Sequence, residues 1–379
     1  MENLTHSLVG LTAAKAGLER LSPGATALCL LAANAPDSDI FVLAFGDRWT
    51  YLQNHRGITH AIVGVAALAL LLPLTFYAVD WLWSRLRKQP PRVKLKGLLI
   101  ASFIVSATHP LLDWTNSYGI RFLLPWNPKW FYGDLVFIAD PYLWLILGGA
   151  LFLLSAKTTS GKIVWAVVAA TLTVLLVISP LSSNPANIRL IALLWSLTLV
   201  ALIVLFATGA RQRWGSKIAF VSFALVLVYL GMLAFVHSRV IIRASEEAAV
   251  IASENGETVA QLAAMPTLAN PFRWDCVFET DRATYRFSLG LLGRQPVSPY
   301  VVRYKKAPPA LMAAVSQQRP ARIFLGFARF PVIQLAEPDC ITRTLVQLAD
   351  LRYTEPGGSR GAFALEVPID CPGEQTPAR

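Results

Sequence analysis

Charged side chains are scarce in this 379-residue chain: Asp, Glu, Lys and Arg make up 15% of it, against 55% hydrophobic residues. An ordinary soluble domain carries roughly 25%, so a wholly soluble protein of this length is excluded. Cysteine is nearly absent too. The four present, Cys29, Cys276, Cys340 and Cys371, form no close pair, which excludes a cysteine-built zinc module or a disulfide scaffold. Cys29 reads as a packed core residue. The other three would allow one disulfide in an oxidising compartment, with the pairing left open. The N-terminus lacks a basic region, apolar core and cleavage site of a secretory signal, so the spans themselves are expected to direct insertion.

Long apolar runs are what the chain does have. Candidates near 61–83, 97–114, 135–155, 163–182, 190–208 and 218–236 approach or exceed the roughly 20 residues that a helix needs to cross a bilayer. A stretch near 24–34 is interrupted sooner and reads as interfacial or re-entrant. No Asp, Glu, Lys, Arg or His occurs in 163–182, 190–208 or 218–236, which counts against a transporter with mid-bilayer ionisable groups. The expected fold is an α-helical membrane protein with about six transmembrane helices. It begins with N-terminal interfacial helices and ends in a soluble α+β domain.

The net charge of +11 belongs to the membrane part. Residues 240–379 hold 15 Lys and Arg against 14 Asp and Glu, so the tail is nearly neutral. The excess fills three loops: Arg85, Arg87, Lys88, Arg92, Lys94 and Lys96; then Lys157 and Lys162; then Arg211, Arg213 and Lys217. Positive loops stay cytoplasmic. No basic stripe interleaved with aromatics accompanies them, so nucleic acid is not an expected partner. Placing these loops inside brings His55, His60, His109, Asp113, Asp134 and Asp140 to the opposite membrane face, with the C-terminal domain extracytoplasmic.

Each cluster has a chemistry. His109 and Asp113 stand four apart and share one helix face, where both reach one cation; Pro110 suggests a helix restarting there. In His55-Arg-Gly-Ile-Thr-His60 the glycine suggests a turn, with His55 on a loop and His60 in a first helical turn. Arg56 cannot ligate a cation, and its planar fork suits a substrate phosphate; its plainer role is a headgroup contact or an ion pair. In Asn34-Ala-Pro-Asp37-Ser-Asp39 the proline breaks a helix and two carboxylates emerge together, to ligate, to orient a histidine, or merely to cap. Mixed carboxylate and imidazole donors suit Zn²⁺ or Mn²⁺ better than Ca²⁺. The metal candidates are His6, Asp37, His55, His60, His109, Asp113 and Asp140, enough for two or more ions. Asp39 and Asp134 are candidate general bases and Arg56 a candidate phosphate contact. The bland alternative is a set of caps and interfacial anchors, as the belt of Trp114, Tyr118, Trp126, Trp130 and Trp144 suggests.

Thr5-His6-Ser7 and the three clusters just described occur in the order of the motifs of the YdjM family, which residues 1–150 resemble. The resemblance implies a LexA-binding, inner-membrane-associated, metal-dependent hydrolase. The segment Pro266–Trp274 resembles the entry to the tail of longer family members. More remotely, the N-terminal part is similar to the helical zinc-dependent phospholipase C and P1 nuclease group. Those enzymes hold three zinc ions with His and Asp, including a His-x-x-x-Asp pair like His109 and Asp113. This chain starts Met1-Glu2 where they carry a ligating N-terminal tryptophan, and it lacks their downstream His-x-x-x-Glu pair.

The resulting expectation is a hydrolase domain over 1–150, further transmembrane helices over 151–239, and an extracytoplasmic α+β domain over 240–379. Phosphoester hydrolysis at the outer face of a bacterial inner membrane is the leading activity, on a phosphate-containing lipid or small molecule. A non-enzymatic scaffold or a metal-binding transport protein is the alternative. In the tail, 240–262 reads as an amphipathic helix and 308–316 as a short one. Alternating runs at 276–280, 284–289, 300–304, 323–327, 344–352 and 363–367 read as strands.

Overall fold

The computed structural model describes residues 1–174, 185–291, 301–336, 343–358 and 363–370. Helices dominate as far as residue 254, and strands follow. Helix starts coincide with side chains able to accept from the free amides there. Glu2 opens α1 (Asn3–Lys15) by accepting from the Thr5 amide at 3.2 Å. α2 (Ala25–Asn34) runs on as a 3-10 segment, Ala35–Ala44, where Pro36 has no N–H for an α-helical bond. Asp47 caps α3 (Arg48–Asn54) through the Thr50 amide at 2.8 Å.

Two long helices follow, α4 (Ile62–Leu86) and α5 (Leu95–Trp114). Asp140 caps α6 (Pro141–Ser155), whose proline sits in the first turn, where its missing N–H costs nothing. Beyond it come α7 (Thr159–Thr173), α8 (Pro185–Ala207), α9 (Ala210–Trp214) and α10 (Lys217–Glu254).

Four stretches, Ala25–Ala44, Ile62–Leu86, Leu95–Trp114 and Lys217–Glu254, are long and apolar enough to cross a membrane. Pro141–Ser155, Thr159–Thr173 and Ala192–Ala207 are apolar but shorter. The expected count of six is therefore not reached among the described residues. A 15-residue helix rises only about 22 Å, short of the roughly 30 Å hydrocarbon layer. The run read at 135–155 shortens because the Leu135 and Val136 amides turn back to the Thr115 carbonyl, at 2.7 and 3.0 Å. Part of the run at 163–182 lies outside the described residues. Pro110 is a second correction: α5 is continuous through it. Apolar helices tolerate an interior proline where neighbours re-satisfy the backbone.

The chain divides into two compact units. The first comprises Met1–Ser38, Arg56–Phe235 and Pro266–Pro271. Its centre is the packing of α1, α2 and α5, where Ala14, Leu28, Cys29, Leu98 and Val105 form one buried cluster. Gly10 sets the α1–α2 distance: a β-carbon there would lie 2.5 Å from the Cys29 carbonyl oxygen and 2.8 Å from the Ala33 β-carbon. Elsewhere in this unit many apolar side chains face outward, among them Leu71, Leu74 and Leu82 of α4.

The second unit comprises Asp39–His55, Val236–Met265 and Phe272–Arg379. A four-stranded sheet in the order β1 (Val259–Thr267), β2 (Asn270–Thr280), β3 (Ala283–Gly290), β4 (Val302–Lys305) packs buried Trp274, Phe278, Tyr285 and Phe287 with Val240, Ala244 and Ala248 of α10. A three-stranded antiparallel sheet follows, β5 (Pro331–Leu335), β6 (Arg343–Asp350), β7 (Ala364–Asp370). Between the sheets come α11 (Pro309–Ser316) and α12 (Arg319–Phe327).

The strand expected at 323–327 is thus helical. Ala321, Phe324 and Phe327 are buried three apart, a helical stripe that a short window mistakes for alternation. The helix expected at 240–262 ends at Glu254, and Val259–Thr267 is a strand. Cys276 is a free, buried thiol; Cys340 and Cys371 lie outside the described residues.

Candidate metal centre

Three separate segments of the first unit deliver four ligating atoms to one place. Asp37 comes from the 3-10 turn after α2, His60 from the short 3-10 turn Ile58–His60, and His109 and Asp113 from successive turns of α5. One ligand atom from each lies within 4.8 Å of all the others. His60 Nε2 is 3.2 Å from His109 Nε2, 3.3 Å from Asp37 Oδ1 and 3.4 Å from Asp113 Oδ2. His109 Nε2 is 3.6 Å from Asp37 Oδ1 and 3.4 Å from Asp113 Oδ2. The histidines and Asp113 are buried, while the Asp37 side chain keeps 17% exposure and forms the open side of the cluster.

These donors fit a divalent cation. The His109 Nδ1–H donates to the Ala33 carbonyl at 2.6 Å, which leaves the Nε2 lone pair directed into the cluster. His60 Nδ1 meets Thr59 Oγ1 at 3.1 Å, so its Nε2 faces inward in the same way. Anchoring the far nitrogen is how metal-ligating imidazoles are held in one tautomer and orientation. A tetrahedron with edges of about 3.4 Å has its centre about 2.1 Å from each corner, the usual Zn–N and Zn–O distance. Asp37 Oδ2, Asp113 Oδ2 and both ring nitrogens of His6 are buried without a hydrogen-bond partner, a costly arrangement that a cation among them would relieve.

His6, on α1, extends the cluster. Its Nε2 is 3.4 Å from Asp113 Oδ1, and its ring stacks on His109 with centroids 3.7 Å apart. Burial pushes the His6 imidazole down to about 4 despite the neighbouring Asp113 carboxylate, so it is neutral at pH 7 and has a lone pair to offer. The α-amino group of Met1 is buried against the same Asp113 oxygen. Asp113 thus presents one oxygen toward His60 and His109 and the other toward His6.

Arg56 is enclosed beside this cluster at 1% exposure. Its guanidinium is 3.0 Å from Asp113 Oδ1 and donates to the Asp113 carbonyl, Asn116 Oδ1 and the Gly119 carbonyl at 3.2, 2.9 and 3.1 Å. It also lies over the Tyr118 ring. The tight turn expected at Gly57 falls on Arg56 itself, at φ +51, a left-handed conformation that costs a non-glycine residue about 1 kcal/mol or more.

The remaining candidates have other surroundings. Asp140 Oδ1 accepts from the Tyr142 and Leu143 amides at 2.8 and 3.0 Å, and its Oδ2 accepts from the Tyr229 hydroxyl at 2.8 Å. Burial raises its carboxyl above the usual range. Asp134 is buried at φ +53 between α5 and α6. Asp39 and His55 pair with each other in the second unit, Nδ1 lying 3.1 and 3.2 Å from the two carboxylate oxygens. His237, read as interfacial, meets the Ala264 carbonyl at 3.2 Å and packs against Trp274. Sequence reasoning missed Ala33 and Thr59, which anchor the imidazoles of His109 and His60, and Asn116, which accepts from Arg56. A backbone carbonyl has no sequence signal at all, and Thr59 signals itself only by adjoining His60.

Apolar helices around a buried His and Asp cluster define a membrane protein with a candidate metal site. Residues 1–179 match the YdjM inner membrane protein family, which bears out the motif resemblance for that part of the chain. Two relatives are similar to part of the chain. An uncharacterized protein, YfhP of Bacillus subtilis (strain 168), is 26% identical over 155 residues, covering 38% of this chain and 43% of YfhP. Inner membrane protein YbcI of Escherichia coli (strain K12) is 27% identical over 135 residues, covering 34% of this chain and 65% of YbcI. The match therefore spans less than two thirds of either relative. No solved structure matches the chain.

Proposed function

We propose that the protein is a membrane-bound, metal-dependent hydrolase of phosphoesters, with its site at the outer face of the inner membrane and its C-terminal domain extracytoplasmic. The observation that carries this reading is the anchoring of His109 through Ala33, which directs a free Nε2 at His60, Asp37 and Asp113. Asp37, His60, His109 and Asp113 would hold one divalent cation, Zn²⁺ or Mn²⁺. His6 and the second oxygen of Asp113 would serve another. A divalent cation in such a site supplies Lewis-acid polarisation of a phosphoryl oxygen and activation of water.

The protein's own groups supply the rest. Arg56 holds Asp113 and the 116–119 turn in position, since both its terminal nitrogens are engaged there. Asp37, on the open side, is where a phosphate would approach. Asp134 would take the proton from water.

The test is elemental analysis of the detergent-purified protein, alongside turnover of a panel of phosphomonoesters and phosphodiesters with and without chelator. The reading expects stoichiometric Zn or Mn, its loss in His109→Ala, and chelator-sensitive turnover. Metal that persists in a His60/His109 double alanine variant would overturn the site. Bound metal without turnover on any ester would instead support a metal-stabilised scaffold.

A further inference from the structure

Apart from the metal cluster, the first unit contains two apolar cavities that adjoin along α6 and α8. One, of about 630 Å³, lies among α6, α8 and α10 and is lined by residues such as Ile146, Leu202 and Leu225. The other, of about 290 Å³, lies among α1, α6, α7 and α8 and includes Gly148, Trp165 and Leu199. Leu145 and Leu202 line both. Each cavity has a lysine in its wall, Lys217 in the first and Lys162 in the second.

The two lysines stand at the same end. Lys217 shares the first cavity with Leu205, and the Lys162 ammonium stands 5.5 Å from the ring of the adjacent Phe206. Arg211 and Arg213 of α9 precede Lys217 in the chain. Among the described residues none of these four cations has an acidic partner. At the far end of the larger cavity the polar groups are already spent: Tyr142 donates to the Ala269 carbonyl and Tyr229 to Asp140. From Lys217 to Tyr229 is twelve residues of helix, about 18 Å. That is close to the depth of one leaflet, half of the roughly 30 Å hydrocarbon layer.

We infer that this pair of cavities is a binding site for one anionic phospholipid of the cytoplasmic leaflet. Its two acyl chains occupy the two slots, and its phosphate lies between Lys162 and Lys217. Two apolar slots side by side match a diacyl molecule, and unpaired cations at their common mouth match an anionic headgroup. Basic loops face the cytoplasm, where basic pockets between helices recognise anionic lipid headgroups. This site is independent of the hydrolase reading and does not use the metal cluster.

The test is native mass spectrometry of the full chain, titrated with phosphatidylglycerol or phosphatidylcholine of matched chains. One molecule of phosphatidylglycerol should bind in preference to phosphatidylcholine. The double variant Lys162→Ala, Lys217→Ala should weaken that binding about thirty-fold. The double variant Lys94→Ala, Lys96→Ala, with the same charge removed from another basic loop, should leave it unchanged. Val221→Trp, at an exposed position on the wall of the larger cavity, should weaken binding of both lipids by obstructing the slot. This variant keeps the proposal testable if the lysine variant fails to fold. Equal affinity for the two lipids, or equal loss in both lysine variants, would overturn the site in favour of non-specific annular contact. Undiminished binding in Val221→Trp would likewise overturn the assignment of the chains to the cavity.

Discussion

At the scale of single residues, one carboxylate organises the candidate centre. Asp113 meets His60 and His109 with one oxygen and His6 and Arg56 with the other. A buried carboxylate so placed needs its partners, because breaking a buried charged pair from one side costs about 3–5 kcal/mol. Arg56→Ala should therefore lower the unfolding temperature of the purified protein markedly. Arg56→Lys should recover only part of the loss, since an ammonium cannot reach Asp113, Asn116 and Gly119 with one planar fork. Thermal unfolding followed by tryptophan fluorescence checks both; an unchanged midpoint in Arg56→Ala would refute the clamp. The clustered side chains His60, His109 and Asp113 were legible as candidate ligands in the sequence because imidazoles and carboxylates are rare in apolar surroundings. The clamp was not, since it joins Arg56 to carbonyls whose positions only folding decides.

At the scale of elements, the centre depends on how closely α1 approaches α2. α1 carries His6, and α2 leads into Asp37 and supplies the Ala33 carbonyl. Gly10→Val places branched carbon where Cys29 and Ala33 already stand, an overpacking expected to cost about 1–3 kcal/mol. Elemental analysis should also show reduced metal content, since His6 shifts with α1 while Asp37 remains with α2. In the second unit the corresponding anchor is Glu257, 6% exposed, which accepts from Thr280 and Tyr285 at 2.7 and 2.9 Å and pairs with Arg303. Burial alone would raise its carboxyl, but these three donors together outweigh burial and lower it. Its stabilising effect is therefore present above its ordinary value of 4.5 and is lost as pH falls through the lowered folded value. Glu257→Gln should cost about 1.5–3 kcal/mol at pH 7 and progressively less under acid. Denaturant titrations at pH 7 and at pH 3 compare the two, and a cost independent of pH would refute the charged network. Strand β1, which follows this residue, was hidden in the sequence because Ala-rich segments read as helix.

At the scale of the whole molecule, a cation held by Asp37, His60, His109 and Asp113, which come from three distant segments, would bind the folded chain far more tightly than the unfolded one. Chelation should therefore lower the unfolding temperature, and adding metal back should restore it. The same treatment of His109→Ala should change nothing, which separates a bound ion from a general salt effect. What the sequence by itself determined is the membrane class, the basic loops and the set of candidate ligands, all of which follow from side-chain chemistry and short-range pattern. The span count was beyond it, because the 135–155 run is shortened by a turn back to Thr115 that only tertiary structure makes. So was the choice of which candidates meet. Asp140 and Asp113 look alike in sequence, yet one caps a helix and holds a tyrosine while the other faces three imidazoles. That difference comes from packing, which sets distances between residues that the chain places far apart.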